Sequence, residues 1–120
     1  MKKILFSVFL IVFLSFAGIN SKEANAVLGF AGLPTIVNLT LTSANTEYSV
    51  TLPRNVGTIT IQSRTSADFK IGVTSGQSGT TYFTIKSGNA YYETTIAMDG
   101  TTLYFQSPNA GQVIEIFYFN

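Results

Sequence analysis

Short segments in which apolar and polar residues alternate recur along most of the chain after residue 36. In residues 37–41, 47–52 and 69–73, every second residue is apolar and its neighbours are mostly polar. Successive side chains of a strand point to opposite faces, so each of these segments predicts a β-strand with one buried face. The same pattern predicts further strands at residues 59–61, 83–85 and 103–105.

Turn-forming residues separate these segments. Clusters of Gly, Asn, Ser and Pro lie at 53–57, 75–79, 87–89, 99–100 and 107–111. Gly and Asn tolerate the positive φ of tight turns, whereas Pro fixes φ and lacks an N–H donor. Seven or eight short strands at this spacing predict an all-β fold, namely a small antiparallel β-sandwich or jelly roll. No helix is expected after residue 26.

The final segment, residues 113–119, departs from simple alternation. Both of its faces are apolar except at Glu115. A strand of this kind is predicted to be buried on both faces, as a central strand, or to face a partner. Phe117 and Phe119 are therefore candidate contacts between subunits.

Residues 1–26 have the pattern of a secretory signal. Lys2 and Lys3 form a basic start, an apolar run covers residues 4–19, and Ala24 and Ala26 flank Asn25 in a small-x-small cleavage site. The apolar run is shorter than the roughly 20 residues of a membrane-spanning helix. We therefore expect cleavage before Val27, a secreted or cell-surface protein, and no membrane span after cleavage.

Residues 27–34 are predicted to form an apolar N-terminal arm ahead of a domain at residues 35–120. An apolar arm can add to the open sheet edge of another subunit. A head-to-tail contact of that kind does not close, so it would build a filament. The arm side chains that are candidates for assembly contacts are Val27, Leu28, Phe30 and Leu33.

Removal of the signal also changes the charge. The whole chain has a net charge of +1, whereas residues 27–120 contain four basic and five acidic residues and have a net charge of −1. Four scattered cations do not make the basic surface that phosphate neutralisation requires, so no nucleic-acid partner is expected. The chain has no Cys and no His, which excludes thiol and imidazole catalysis and the usual zinc sites. No catalytic residue, metal site or cofactor is predicted.

Low charge and the lack of disulfides favour self-association. Exported domains of this size commonly gain stability from disulfides, which this chain cannot form. Only 11% of the residues are charged, and the outward strand positions are mostly neutral residues such as Thr. Neutral side chains lose less on desolvation than charged ones, so we expect a homo-oligomer.

Two tyrosines support an alternative function. Tyr82 and Tyr104 fall on the outward register of their predicted strands. Exposed aromatic rings can stack on sugar rings while the phenol adds a hydrogen bond. The alternative is therefore a carbohydrate-binding or adhesive module that binds a surface glycan or another surface protein. Packing in a second apolar layer or a subunit contact is the competing interpretation of these rings.

Five strand-and-turn segments lie between Glu47 and Phe119, with the sequences YSVTLP at 48–53, ITIQSR at 59–64, YFTIKSG at 82–88, LYFQSP at 103–108 and VIEI at 113–116. Together they resemble a type of short, jelly-roll-like β-sandwich protein that is encoded among the structural genes of tailed phages. The resemblance implies a structural role on a particle or surface, and it implies no active site. The export signal departs from it, because virion proteins are ordinarily assembled in the cytoplasm. The prediction is an exported, non-enzymatic subunit of an extracellular or surface assembly.

Overall fold

The computed structural model describes residues 32–120, and this part of the chain contains eight strands and one helical turn. In chain order the elements are β1 (Thr35–Leu41), β2 (Tyr48–Thr51), β3 (Val56–Ser63), β4 (Phe69–Gly72), α1 (Gln77–Thr80), β5 (Phe83–Ile85), β6 (Ala90–Met98), β7 (Thr102–Gln106) and β8 (Gln112–Phe119). Within these described residues, no helix has the length and apolar character needed to cross a membrane.

The strands form two antiparallel sheets of four strands each. The first sheet has the order β1-β8-β3-β6, and the second has the order β2-β7-β4-β5. The pairs β1–β8, β2–β7, β3–β6 and β4–β5 show that the chain folds as one long hairpin whose successive strand pairs fall in alternate sheets. This is the winding of an eight-stranded jelly roll. The prediction of an all-β, two-layered fold is confirmed.

The core lies between the two sheets and is built from the inward residues of the alternating segments. Ile59, Ile114 and Ile116 contribute fully buried side chains from the first sheet. Phe69 and Phe105 contribute buried rings from the second sheet, with centroids 6.5 Å apart and planes tilted by 40°. Burial of each large apolar side chain stabilises the fold by roughly 1.5–3 kcal/mol. The sandwich is therefore held together mainly by these interlocking layers.

Strand β6 lies where no alternating pattern predicts a strand. Its partly buried residues Tyr91, Ile96 and Met98 pack against the core, but their spacing is irregular. The cause is a bulge. Val56 pairs with Met98 and Thr58 pairs with Thr94, so two residues along β3 lie opposite four residues along β6. A bulge inserts unpaired residues and shifts the face on which later side chains lie. The period of two is therefore lost in β6.

Two predictions next to β4 are wrong. Residues 75–79 are predicted as a turn and no helix is expected, yet α1 begins at Gln77. A helix of one turn is too short to show an apolar periodicity. Val73 is predicted as an inward strand residue, but β4 ends at Gly72 and Val73 is 62% exposed.

Thr95 of β6 has a backbone conformation that β-branched residues rarely adopt. Its φ is 62°, in the left-handed region, and it follows Thr94 at the bulge. Such a residue stores strain of about 1–3 kcal/mol. Because β6 is an edge strand, the bulge also hinders the addition of another strand there.

Replacing Thr95 by Gly is expected to raise the free energy of unfolding by about 1 kcal/mol, because Gly adopts positive φ without strain. Thr95 is exposed, so the substitution removes little packing. Equilibrium urea unfolding measures the change. Thr94→Gly, at an exposed and regularly paired position of the same strand, is the matched control and is expected to lose about 0.5–1 kcal/mol. Equal decreases in the free energy of unfolding of the two variants would show that Thr95 is not strained.

Candidate functional site

The outer face of the first sheet carries large apolar side chains in neighbouring register positions. Ile36, Phe117, Thr60 and Tyr92 face one another across all four strands. Phe119 lies two residues further along β8, and its ring meets that of Phe117 edge to face at a centroid distance of 5.1 Å. Ile36 is 66% exposed and Tyr92 is 62% exposed, while both phenylalanines are half-buried. We name the four apolar side chains, Ile36, Tyr92, Phe117 and Phe119, the apolar row.

A polar row runs beside the apolar row. Asn38, Glu115 and Gln62 are neighbours across β1, β8 and β3. The Gln62 amide nitrogen donates to Glu115 Oε2 at 2.9 Å, and Arg64 Nε donates to Glu115 Oε1 at 2.6 Å. These two bonds, that of Gln62 first, lower the pKa of the Glu115 carboxyl. The central carboxylate of this face is thus paired with a cation, and a shallow groove of about 480 Å³ lies between this pair and the apolar row.

Strand β8 lies inside the first sheet, between β1 and β3. Its inward residues Ile114, Ile116 and Tyr118 are buried in the core. The opposite face, with Phe117 and Phe119, is covered by no other element of residues 32–120 and stays half-exposed. The apolar character of both faces of this strand therefore has two origins, a core on one side and an open sheet surface on the other.

The N-terminal arm falls mostly outside the described residues. Val27, Leu28 and Phe30 all lie outside them, so the structure leaves their predicted role untested. Leu33 is described and is 89% exposed. The Gly32 N–H donates to the Asn120 carbonyl at 2.8 Å, so the chain enters β1 beside the end of β8.

The two candidate glycan-stacking tyrosines lie near the outer face of the second sheet. Tyr82 comes immediately before β5 rather than within a strand, and Lys70 Nζ lies 4.0 Å from its ring centroid. The ammonium therefore covers one face of this ring in a cation–π contact. Tyr104 of β7 pairs with Ser49 and Gly72 and is half-buried. These rings offer less open aromatic surface than their outward register predicts.

Helical turn α1 packs on β4 and is held in place by hydrogen bonds to the carboxylate of Glu47. No sequence pattern identifies Glu47 as a functional or structural residue. Glu47 Oε1 accepts the Gly76 N–H at 2.8 Å, and Oε2 accepts both the N–H and the hydroxyl of the fully buried Ser78. The bond from the Ser78 hydroxyl, followed by that from Gly76, lowers the pKa of the Glu47 carboxyl. A Cβ at Gly72 would lie 2.6 Å from that of Gln77, so this close approach requires glycine.

An apolar cleft of about 370 Å³ opens between the two sheets on the side of β5 and β6, and we name it the interlayer cleft. The rings of Phe83 on β5 and Tyr91 on β6 meet edge to face at 6.1 Å. Phe83 is 60% exposed because β5 is an edge strand with three residues. Burial, followed by the nearby Glu93 charge, raises the pKa of the Tyr91 phenol, which therefore stays neutral. The described lining residues are Ile61, Ile71, Gly72, Val73, Gln77, Thr81, Phe83, Tyr91, Met98 and Leu103.

The acidic side chains of residues 32–120 lie at separate places. Asp68 bonds to Lys86 Nζ at 2.9 Å, and Asp99 lies 3.5 Å from Arg54 Nε. Between residues 32 and 120, no group of three Asp and Glu side chains is arranged to hold a metal ion.

No protein-family model matches the chain, and the comparison with curated proteins gives no match. Among solved structures, the chain is similar to a de novo designed double-stranded β-helix determined by solution NMR. The two share 15% sequence identity, with a TM-score of 0.43, over 74% of this chain and 100% of the designed chain. What this chain does is therefore inferred from its own surfaces.

Proposed function

We propose that the chain is an exported, non-enzymatic structural subunit that self-associates through the outer face of its first sheet. The observation that carries this proposal is the apolar row. Ile36, Phe117 and Phe119 adjoin one another on an otherwise open sheet, and Tyr92 lies in line with them beyond Thr60. Ile36 and Tyr92 are each more than 60% exposed. Contiguous exposed apolar patches on soluble domains mark interaction sites.

A second copy of the chain is the partner that fits this face. In a two-fold contact the same surface meets itself, so a face with one sign of charge would repel its partner. Here Glu115 is paired with Arg64, and the neighbouring positions are neutral residues such as Thr60 and Asn38. Contact between two such faces buries apolar side chains without leaving a carboxylate unpaired. The resemblance to short phage structural proteins points to the same class of role.

Export is the other part of the proposal. Residues 1–26 would be removed, and the protein would begin at Val27 with the arm attached. Mass spectrometry of the exported protein identifies its first residue. A chain that still contains residues 1–26 would contradict the export proposal.

Removing the apolar row is expected to break the contact between sheet faces and lower the mass of the assembly. The variant Ile36→Thr/Phe117→Thr retains β propensity but replaces two directly paired apolar side chains of the row by polar ones. Removal of interface hot spots of about 2 kcal/mol or more weakens the dissociation constant at least ~30-fold. Size-exclusion chromatography with light scattering measures the mass over a concentration series, and circular dichroism checks the fold.

Tyr82→Thr is the matched control, since it removes an exposed aromatic side chain near the other sheet. It is expected to leave the oligomer unchanged. A wild-type protein that stays monomeric at high concentration would overturn the proposal, as would a folded row variant that assembles like the wild type. Glycan-array binding that disappears in Tyr82→Ala or Tyr104→Ala would instead support the adhesive alternative.

A further inference from the structure

We propose that the interlayer cleft receives the arm, residues 27–34, of a second copy, with Phe30 seated between the two sheets. This inference rests on the proposed function, because it requires that copies of the chain associate. It adds a second contact, different from the sheet face, and gives the arm a binding site.

The cleft selects an uncharged and largely apolar occupant. Its base consists of the core side chains Ile61, Ile71 and Leu103, and its rim includes the exposed Val73 and Phe83. None of the described residues that line it is charged. Its volume of about 370 Å³ falls within the range of sites that bury a bound group. A charged segment would lose its hydration here without gaining a partner.

The arm has the matching chemistry. No Asp, Glu, Lys or Arg occurs anywhere in residues 24–46, and the arm itself consists of large apolar residues together with Gly, Ala and Pro34. A Phe30 ring in the cleft can pack against the rings of Phe83 and Tyr91, which are already in edge-to-face contact. Burial of these rings would also cover the exposed side chains at the rim.

The rim also provides hydrogen-bonding groups for the backbone of an extended segment. Gln77 Oε1 accepts the N–H groups of Val73 and Thr74 at 2.9 and 3.1 Å. These bonds fix the side chain and use its oxygen, so its amide nitrogen can donate to an incoming carbonyl. The Thr81 hydroxyl, which also lines the cleft, can donate or accept.

Covalent geometry favours a second copy over the chain's own arm. Gly32 is bonded to Asn120 at the β1 edge of the first sheet, whereas the cleft lies beneath β6 at the opposite edge. Three strand spacings separate these edges, about 14 Å. Phe30 is two residues from Gly32, and two extended residues span only about 7 Å. The backbone between Gly32 and Phe30 is therefore too short to cross the sheet, and the occupant assigned to the cleft is the arm of a neighbouring molecule.

The two contacts together determine the form of the assembly. A two-fold contact between sheet faces closes on itself and yields dimers, whereas an arm inserted into the next copy is head-to-tail and does not close. Dimers linked by arms would extend without limit. The expected product is a filament or layer rather than a small ring.

Cysteine trapping tests this inference directly, because the chain has no Cys of its own. The exported protein with Ala31→Cys and Val73→Cys leaves Phe30 intact and places one thiol on the arm and one at the cleft rim. Under mild oxidation we expect covalent dimers, trimers and longer chains, at least five times more abundant than in the control Ala31→Cys/Ala110→Cys. Ala110 is exposed in the loop before β8. Addition of Phe30→Ser to the first variant is expected to abolish the excess.

Three results would overturn the inference. The first is an internally bridged monomer, which places the arm in its own cleft, and the second is crosslinking at the level of the control. The third is a small apolar molecule that co-purifies in the cleft, detected by native mass spectrometry, together with an absence of crosslinks. Light scattering on the same samples separates the two proposals. Oligomers that lose mass with the Ile36→Thr/Phe117→Thr substitutions leave the proposed function standing, and arm-linked chains that remain in that variant support the inference, whereas a wild-type monomer overturns both.

Discussion

Phe105→Ala is expected to lower the free energy of unfolding by about 3–5 kcal/mol, which is the typical loss for truncating a buried Phe. The Phe105 side chain is fully buried, lies on the inner strand β7 between β2 and β4, and packs against Phe69. A domain of this size has a total stability of about 5–15 kcal/mol, so the variant would lose a large part of it. Urea unfolding followed by circular dichroism measures the difference.

Phe83→Ala is the control for this prediction. It removes the same ring from the same sheet, but at a position that is 60% exposed. The expected decrease in the free energy of unfolding is about 1 kcal/mol, because the substitution mainly removes the edge-to-face pair with Tyr91. If both substitutions lower the free energy of unfolding by the same amount, the division between a buried core and an exposed cleft rim is wrong.

Glu47→Gln is expected to destabilise the protein by about 1–3 kcal/mol at pH 7. The carboxylate accepts three hydrogen bonds from Gly76 and Ser78. An amide has one acceptor oxygen, so either the Gly76 N–H or both donors of the fully buried Ser78 would face an NH2 group instead. Thermal or urea unfolding at pH 7 measures the loss of stability. The control is Glu93→Gln, at an exposed position of β6, which is expected to change the free energy of unfolding by less than about 0.5 kcal/mol.

The Glu47 effect is also expected to depend on pH in a defined direction. The folded-state pKa of this carboxyl is lowered from its ordinary value of 4.5, so its contribution is fully present above pH 4.5 and is lost as the pH falls through the folded pKa. The gap in stability between wild type and Glu47→Gln should therefore be constant from about pH 5 to 8 and narrow below pH 4.5. A gap that grows in acid would contradict the assignment.

The elements that sequence patterns predicted well are those with uninterrupted pairing. Ile59 and Ile61, and likewise Leu103 and Phe105, are buried as their alternation predicts. Pattern reasoning failed where tertiary structure overrides the period of two. In β6 the bulge at Thr95 shifts the inward positions, so the alternating pattern does not reveal the strand.

Exposure at the sheet edges was also beyond sequence reasoning. Phe83 has the inward register that the pattern predicts, opposite Ile71, yet it is exposed because β5 and β6 leave the cleft open between them. Whether an inward residue is covered depends on the strand in the facing sheet. A period of two carries no information about that strand.

The candidate surface was predicted only in part. Phe117 and Phe119 were identified from the two-sided apolar pattern of their strand, but Ile36 and Tyr92 were not. The apolar row exists only once β1, β8, β3 and β6 are paired, and these strands are far apart in the sequence. One signal was present: Ile36 is apolar at a position where the alternation of residues 37–41 requires a polar residue. An apolar residue out of register with its own strand is a useful indicator of an open sheet face.

The hairpin-like winding of the chain has a consequence for folding kinetics. Thr35 of β1 pairs with Tyr118 of β8, so the first strand finds its partner only across a separation of about 80 residues. Loop closure over such a long separation is slow, and proteins dominated by non-local pairing fold in about milliseconds to seconds. Until β8 is inserted between β1 and β3, both of those strands present unpaired backbone. Loss of β8 should therefore leave the first sheet unassembled, and the insertion of β8 between β1 and β3 is the step that commits this protein to its fold.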